Sequence, residues 1–405
     1  MITKNIWIFS HDSQQPPYNT MLRYHNWGKQ LSKRGYKVSI IGASTVHNTD
    51  IDVVDEIGKN TSIVDGVRYI YLKCIKYNGN IKRAINNLMY IFKIYTLKRE
   101  GTPDIIITSG PFYNRMIKLV YKDVPLITDI ADLWPKSIVC YTNATDDNPI
   151  IKMMYKEEEH SYLSSDALIF SMEGGKQYLK ERAYHDKIDF GRVYHINMGC
   201  DLEEFDRNAL LYKDEIIKDP NHFVITYSGS MRQANHIIQI CEAAKILQKK
   251  GSNILIHMYG NGPEEEQAKK YCYDNHLENI LFFGRFEKAK LPVILGSSDA
   301  NIMTYLQTDI MKYGGSQSKL FDYLASGKPV INCGTWGYNL ISRYNCGIVD
   351  EKQTSISIAD AMQRMSQLPK DELEEMGKRA RQVAEMYDQP KLADQLEIII
   401  REVSK

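Results

Sequence analysis

Short apolar runs alternate with amphipathic helical stretches along almost the whole of this 405-residue chain, and no other feature constrains its fold as much. In the first half the runs are Ile6–Ser10, Val38–Gly42, Asp104–Thr108, Pro125–Asp129, Ala167–Phe170 and Val193–Ile196. In the second they are Phe223–Tyr227, Ile254–Met258, Ile280–Phe283, Ala300–Met303 and Pro329–Asn332. The first intervening helix is expected over 19–34, where Met21, Leu22, Tyr24, Trp27 and Leu31 recur at helical spacing before Arg34-Gly35. Near-continuous apolar strands belong in sheets covered on both faces, and strand–helix repetition makes those sheets parallel. The chain is too long for one comfortable core, so two doubly wound α/β domains are expected. They divide best near 200–220, where Asp201–Asn221 is charged and lacks a strand pattern.

Charge and cysteine usage narrow the function. The net charge of +1 gives no reason to expect nucleic acid as a partner. The seven cysteines (Cys74, Cys140, Cys200, Cys241, Cys272, Cys333, Cys346) show no Cys-x-x-Cys spacing, which fits reduced thiols in the cytoplasm. The first ten residues read as a strand rather than a signal peptide, and no stretch has the length of a membrane span. Residues 66–99, however, carry eight Lys or Arg and no Asp or Glu, interleaved with Tyr69, Tyr71, Tyr77, Tyr90, Phe92 and Tyr95. The helical pattern over 81–99 fits an anionic membrane surface, or equally a core-packed helix with a solvated basic edge.

Three strand-to-helix junctions in the second half carry chemistry. Ser316–Ile331 reads as a short helix, capped by Ser316 or Ser318, that stops at Gly327 and feeds a buried strand beyond Pro329. Leu320, Phe321 and Leu324 form its inward face, while Lys319, Asp322 and Tyr323 share another. A cation, a carboxylate and a helix N-terminus together suit a nucleoside diphosphate; the same pattern fits an ordinary amphipathic helix. Tyr227-Ser228-Gly229-Ser230-Met231-Arg232 and Tyr259-Gly260-Asn261-Gly262-Pro263 follow other strands, and their glycines let a backbone approach phosphate. All three junctions belong at one edge of one sheet.

Together these segments resemble the donor domain of GT-B retaining glycosyltransferases of family 4. Gly229-Ser230 matches the family's diphosphate loop, Gly260-Asn261-Gly262-Pro263 its Gly-x-Gly-Pro loop, and 318–330 its phosphate- and ribose-binding segment. His195–Asp201 with Phe205 resembles its hinge, and Asp129–Pro135 the Arg-Asp-Leu-Trp-Pro segment of a subgroup that builds bacterial surface polysaccharides. The resemblance implies two doubly wound Rossmann-like domains facing across a cleft. Residues 1–200 would bind the acceptor, 201–386 the nucleotide-sugar donor, and a helix over 387–405 would pack back on the first domain. It implies sugar transfer from a UDP-sugar, such as one of N-acetylhexosamine type, to a glycan or polyprenyl-linked glycan hydroxyl, without a metal or other cofactor.

The implied donor contacts are Gly229, Ser230, Arg232, Asn235, Gly260, Gly262, Ser318, Lys319, Leu320 and Asp322, with Asp132, Arg232 and Lys319 as the catalytic set. The family's first paired acidic position falls on Gly314, its second on Asp322, and its first-domain histidine on Ala131. A sugar-nucleotide epimerase of the same architecture and a non-catalytic partner protein are the alternatives. Asp50-Ile51-Asp52 is read as a solvated acidic loop rather than a metal ligand pair, and Glu157-Glu158-Glu159 as a charged helix face. Arg23 and His25 are placed either on a cleft or on the surface.

Overall fold

The computed structural model describes residues 4–19, 22–47, 49–77, 79–184, 186–216 and 219–404. Met21 and Thr20 of the first helical pattern, and the first three of the ten residues read as an opening strand, lie outside these. The chain divides into two compact units, 1–197 with 389–405, and 198–388. The exchange falls at Asn197/Met198, within the hinge-like segment, a few residues before the boundary expected at 200/201.

The first unit is built on an eight-stranded sheet: β1 (Asn5–Phe9), β2 (Lys37–Ala43), β3 (Thr61–Val64), β4 (Val67–Leu72), β5 (Ile105–Ser109), β6 (Leu126–Ile130), β7 (Ala167–Phe170) and β8 (Val193–His195). Their order is β3-β4-β2-β1-β5-β6-β7-β8, parallel except for the β3–β4 hairpin. β1, β6 and β7 are buried almost throughout, as continuous Ile, Leu and Phe runs require when helices cover both faces.

The apolar-run reading omits β3 and β4. Their signal is the Asp65-Gly66 pair, with φ of 51° and 79°, which fits a two-residue hairpin turn joining Val64 to Val67. The cations of 66–99 obscure a strand in which Tyr69, Ile70 and Tyr71 are all buried. The terminal helix, Gln389–Val403, lies on this unit. Arg34 donates to Asp394 at 2.6 Å and Tyr36 to Glu397 at 3.0 Å.

The second unit holds a six-stranded, all-parallel sheet: β9 (Phe223–Ser228), β10 (Ile254–Tyr259), β11 (Ile280–Gly284), β12 (Ala300–Thr304), β13 (Val330–Cys333) and β14 (Gly347–Asp350). The order β11-β10-β9-β12-β13-β14 reverses direction between β9 and β12, where open α/β sheets bind ligands. β14, a four-residue edge strand beginning with glycine, is too short to stand out by periodicity. The charged 201–221 segment contains the helix Leu202–Leu211, capped by the Asp201 carboxylate.

Two expectations about charged residues need correction. The middle glutamate of Glu157-Glu158-Glu159 does not face solvent. Glu158 is fully buried and accepts hydrogen bonds from Tyr178 (2.7 Å), Tyr162 (3.1 Å) and Tyr184 (3.2 Å). Burial pushes its carboxyl up to about 7, against the pull of these hydroxyls and Arg182. Stability from its protonated form is therefore full below the ordinary glutamate range and lost as pH rises through about 7. Glu158→Gln is expected to remove up to about 3 kcal/mol of pH dependence across that window, read by urea unfolding.

Asp52, likewise, is no solvated loop residue. It is buried, caps the helix Val53–Ile57 through the Val54 amide at 3.0 Å, and accepts from the Ser44 hydroxyl at 2.8 Å. Among the described residues no cluster of three or more His, Cys, Asp or Glu could hold a metal ion, and no helix is long and apolar enough to cross a membrane.

Candidate functional site

The loop after β9 is held open by side chains beneath it. The Tyr227 hydroxyl donates to the Ser230 carbonyl at 2.8 Å, and the Asn235 amide nitrogen to the same carbonyl at 2.6 Å. The loop after β10 is zipped to it by the backbone, Gly229 N–H to Tyr259 O at 3.0 Å and Met231 N–H to Asn261 O at 2.8 Å. Gly260 makes this possible. Its φ is 123°, and a Cβ there would stand 1.9 Å from the Gly229 carbonyl oxygen. Gly260→Ala is expected to lower the melting temperature and weaken UDP binding at least about tenfold, because two backbones must separate. Gly251→Ala, at φ 65° with nothing within 4 Å of its Cβ, is the control and is expected to cost only about 1 kcal/mol.

The helix Ser318–Ala325 closes the site from the other side of the sheet's switch point. Neither serine caps it: Gln317 occupies the cap position without a side-chain cap bond, and Ser318 is the first helical residue. Gly327, at φ 67°, ends it in the left-handed region, as its place before Pro329 requires. Leu320, Phe321 and Leu324 are buried, but so is Tyr323, which the spacing places with Lys319 and Asp322. Its hydroxyl accepts from the Ser228 amide at 2.7 Å and donates to the Ser228 carbonyl at 3.0 Å, tying helix to β9.

Lys319 is where loop and helix converge. Its ammonium donates to the Tyr227 hydroxyl at 3.2 Å and the Asn235 side-chain oxygen at 3.3 Å. It also lies 4.7 Å and 5.0 Å from the ring centres of Tyr227 and Tyr305. The residue is partly exposed, but its charged end is turned inward, and no carboxylate among the described residues pairs with it. Burial, with repulsion from Arg232, pushes its ammonium down to about 7. Arg232 itself is exposed. A desolvated cation with only neutral oxygens around it is poised for an anion.

The other implied residues take distinct parts. Asn235 is buried with both ends of its amide engaged within the chain, so it positions the loop and Lys319 rather than offering a free group. Leu320 is a core side chain whose amide already donates to the Gln317 carbonyl at 3.1 Å. The backbone amides of Ser230, Ser318 and Lys319 have no partner among the described residues and remain available. Asp322, three residues beyond Lys319, takes the Cys200 thiol at 3.7 Å. Burial raises its carboxyl, opposed by Lys288 and by that thiol.

Gly315 and Trp336, beside this site, belong to no sequence motif, and they meet Gln317 of the 316–331 segment. Gly315 has no room for a Cβ, which would overlap the Trp336 ring, and Trp336 packs edge-on against Tyr305 at 4.8 Å. The Trp336 indole N–H and the Gln317 side-chain oxygen are buried without a hydrogen-bond partner among the described residues. Only folding brings them together, since 315–317 and 336 follow different strands.

At the first sheet's strand ends the expected residues behave differently. Asp132 is exposed just beyond β6 and accepts from the Trp134 indole at 3.0 Å. Arg23 does not lie on the surface. It is buried and forms a two-pronged pair with Asp129 at 2.7 and 2.8 Å, while also donating to the Ile196 and Asn197 carbonyls. His25 is buried against Tyr69 at 2.7 Å and Asp65 at 3.0 Å. Sequence reasoning missed His11, buried after β1, whose ring nitrogens face Asp12 at 2.7 Å and Asn86 at 2.5 Å. A cavity of about 300 Å³ lies elsewhere, beside Tyr155, Arg182 and Tyr184, away from either set of strand ends.

Two doubly wound units with these connections define the GT-B fold of glycosyltransferases. Residues 211–383 match the family model described as glycosyl transferases group 1. Among solved structures the chain is similar to sucrose-phosphate synthase from Thermosynechococcus elongatus, with 15% identity, 99% of each chain covered and a TM-score of 0.76. It is also similar to a glycosyltransferase from Rickettsia africae ESF-5, with 17% identity, 100% of each chain covered and a TM-score of 0.67. HepE of Anabaena, solved with UDP and glucose, has 11% identity over 98% of this chain and 99% of its own, with a TM-score of 0.66. A search of curated protein sequences gives no match.

Proposed function

We propose that the chain is a retaining glycosyltransferase. It would move a hexose or N-acetylhexosamine from a UDP-sugar to a hydroxyl of a glycan or polyprenyl-linked glycan, in bacterial polysaccharide synthesis. The observation that carries this reading is the unpaired, desolvated Lys319 ammonium among open amides at the β9/β12 switch point. The group 1 match over 211–383 supports it, and the UDP in the HepE structure supports the choice of nucleotide.

In this scheme Lys319, Arg232 and the amides of Ser230, Ser318 and Lys319 receive the diphosphate as its charge grows with the breaking anomeric bond. Asp322 holds the ribose diol. The Trp336 N–H and the Gln317 oxygen, one donor and one acceptor, take polar groups of the donor sugar where Gly314 replaces an acidic residue. The segments Gly229–Arg232 and Gly314–Lys319 contain no carboxylate that could attack the anomeric carbon. This favours same-face attack, with the departing phosphate oxygen taking the acceptor proton. Asp132 orients a sugar hydroxyl, and the first unit receives the acceptor. No step requires a metal. The protein would work in the cytoplasm, at the inner membrane face where lipid-linked acceptors are held.

Calorimetric titration with UDP, followed by a screen for UDP release from candidate donors with and without acceptors, tests the reading. Saturable UDP binding and acceptor-dependent release are expected. Absence of UDP binding would overturn it, and conversion of a donor incubated alone would indicate an epimerase instead.

A further inference from the structure

The basic segment of the first unit has two opposite faces. In the helix Asn80–Lys93 and the 3-10 turns Ile94–Glu100, Asn86, Tyr90, Ile94 and Leu97 are buried. The Tyr90 hydroxyl donates to the Ile41 carbonyl at 2.8 Å, and the Asn86 amide to Thr45 at 2.9 Å. These contacts satisfy the core. The outward face is nevertheless apolar: Ile81 is 80% exposed, Ile85 44%, Leu88 53%, Phe92 67% and Tyr95 61%. Their spacing of four, three, four and three residues makes one continuous stripe along the helix. Nothing in the fold of this unit calls for it.

The cations divide in the same way. Those on and beside β4 are neutralised, with Arg68 paired to Glu100 at 2.7 Å, Lys73 to Asp52 at 3.2 Å and Lys76 to Asp55 at 3.7 Å. Those on the helix and its extension, Lys82, Lys93, Lys98 and Arg99, have no carboxylate within ion-pair distance among the described residues, while Arg83, in the row of Asn86 and Tyr90, acts on Asp12. An exposed apolar stripe accompanied by four cations without a carboxylate partner complements an anionic lipid surface: aliphatic groups enter the headgroup boundary while the cations meet the headgroups. A second copy of the chain would set like charges against one another.

We infer that the outer face of residues 81–99 is a docking surface for an anionic bilayer, with Ile81, Ile85, Leu88, Phe92 and Tyr95 as the inserted stripe. This deepens the sugar-transfer reading and rests on it only for its consequence. The inner face of the same helix holds Asn86 against His11, at the end of β1, so a lipid-linked acceptor would reach that sheet edge without leaving the membrane.

Flotation of the full chain tests the surface, using vesicles of equal parts phosphatidylglycerol and phosphatidylcholine against phosphatidylcholine alone. The chain is expected to float only with the anionic vesicles, and affinity to fall about tenfold or more at high salt. Lys82→Ala and Lys98→Ala are each expected to weaken binding about fivefold, and Leu88→Asp with Phe92→Asp to abolish it. Should that double variant fail to fold by circular dichroism, Leu88→Ser with Phe92→Ser takes its place and is expected to weaken binding at least about tenfold. UDP affinity of every folded variant is expected to match the parent, which separates lipid docking from the donor site. Equal flotation with both vesicle types, or binding unaltered by these substitutions, would overturn the inference. So would a dimer in sedimentation that Leu88→Asp dissociates while vesicles bind nothing.

Discussion

Replacing Lys319 by alanine is expected to lower donor turnover by about 100- to 1,000-fold, the usual loss when one electrostatic contact to a charge-bearing leaving group is removed. Folding should survive, since the ammonium has no ion-pair partner to abandon and its burial costs free energy. The more discriminating readout is pH. With its pKa pushed down to about 7 in the unliganded chain, Lys319 is charged below that value and increasingly neutral above it. A bound diphosphate raises the pKa again, so binding above about 7 must take up a proton. The UDP dissociation constant is then expected to rise about tenfold per pH unit from near 7 until the liganded pKa is reached. Lys319→Ala should flatten that region. A parent enzyme with pH-independent UDP affinity between about 7 and 9 would rule out this role for the lysine.

The second large effect belongs to Arg23. Arg23→Met leaves the Asp129 carboxylate buried with the Tyr24 hydroxyl, at 2.8 Å, as its remaining side-chain partner among the described residues. It also removes the Arg23 hydrogen bonds to the Ile196 and Asn197 carbonyls. Both partners are nearly inaccessible, at 5% and 0% side-chain exposure. Breaking such a pair from one side is expected to cost about 3–5 kcal/mol. Urea unfolding followed by tryptophan fluorescence suits the measurement, because Trp7, Trp27 and Trp134 lie in the first unit and only Trp336 in the second. Adding Asp129→Leu should recover much of the loss, since it removes the stranded charge. Failure to recover would mean that the carbonyl contacts, not the ion pair, hold this helix in place.

The contrast between these two cations shows what a linear reading can and cannot reach. Both sit on helices among apolar residues, and spacing places each on a face. Spacing did not reveal that Arg23 meets a carboxylate 106 residues away while Lys319 meets none. The same holds for Glu158 and Asp52. A charged residue in a helical or loop pattern reads as solvated until distant hydroxyls or amides are found around it, because burial is a property of the neighbours.

Local pattern alone yields the two-unit α/β architecture, most strands to within a residue or two, and the three glycine-bearing junctions. These depend on local sterics and on apolar periodicity, which are written along the chain. It also singled out Lys319 and Asp322. Which groups remain open for a ligand is settled by folding. Folding engaged both ends of Asn235, turned Leu320 and Tyr323 inward, and set Trp336 beside Gln317. It also left the apolar stripe of 81–95 facing outward and the neighbouring cations unpaired. The physical reason is that hydrogen bonds, ion pairs and desolvation depend on distances across the fold, and those exist only after the sheets have brought remote segments together.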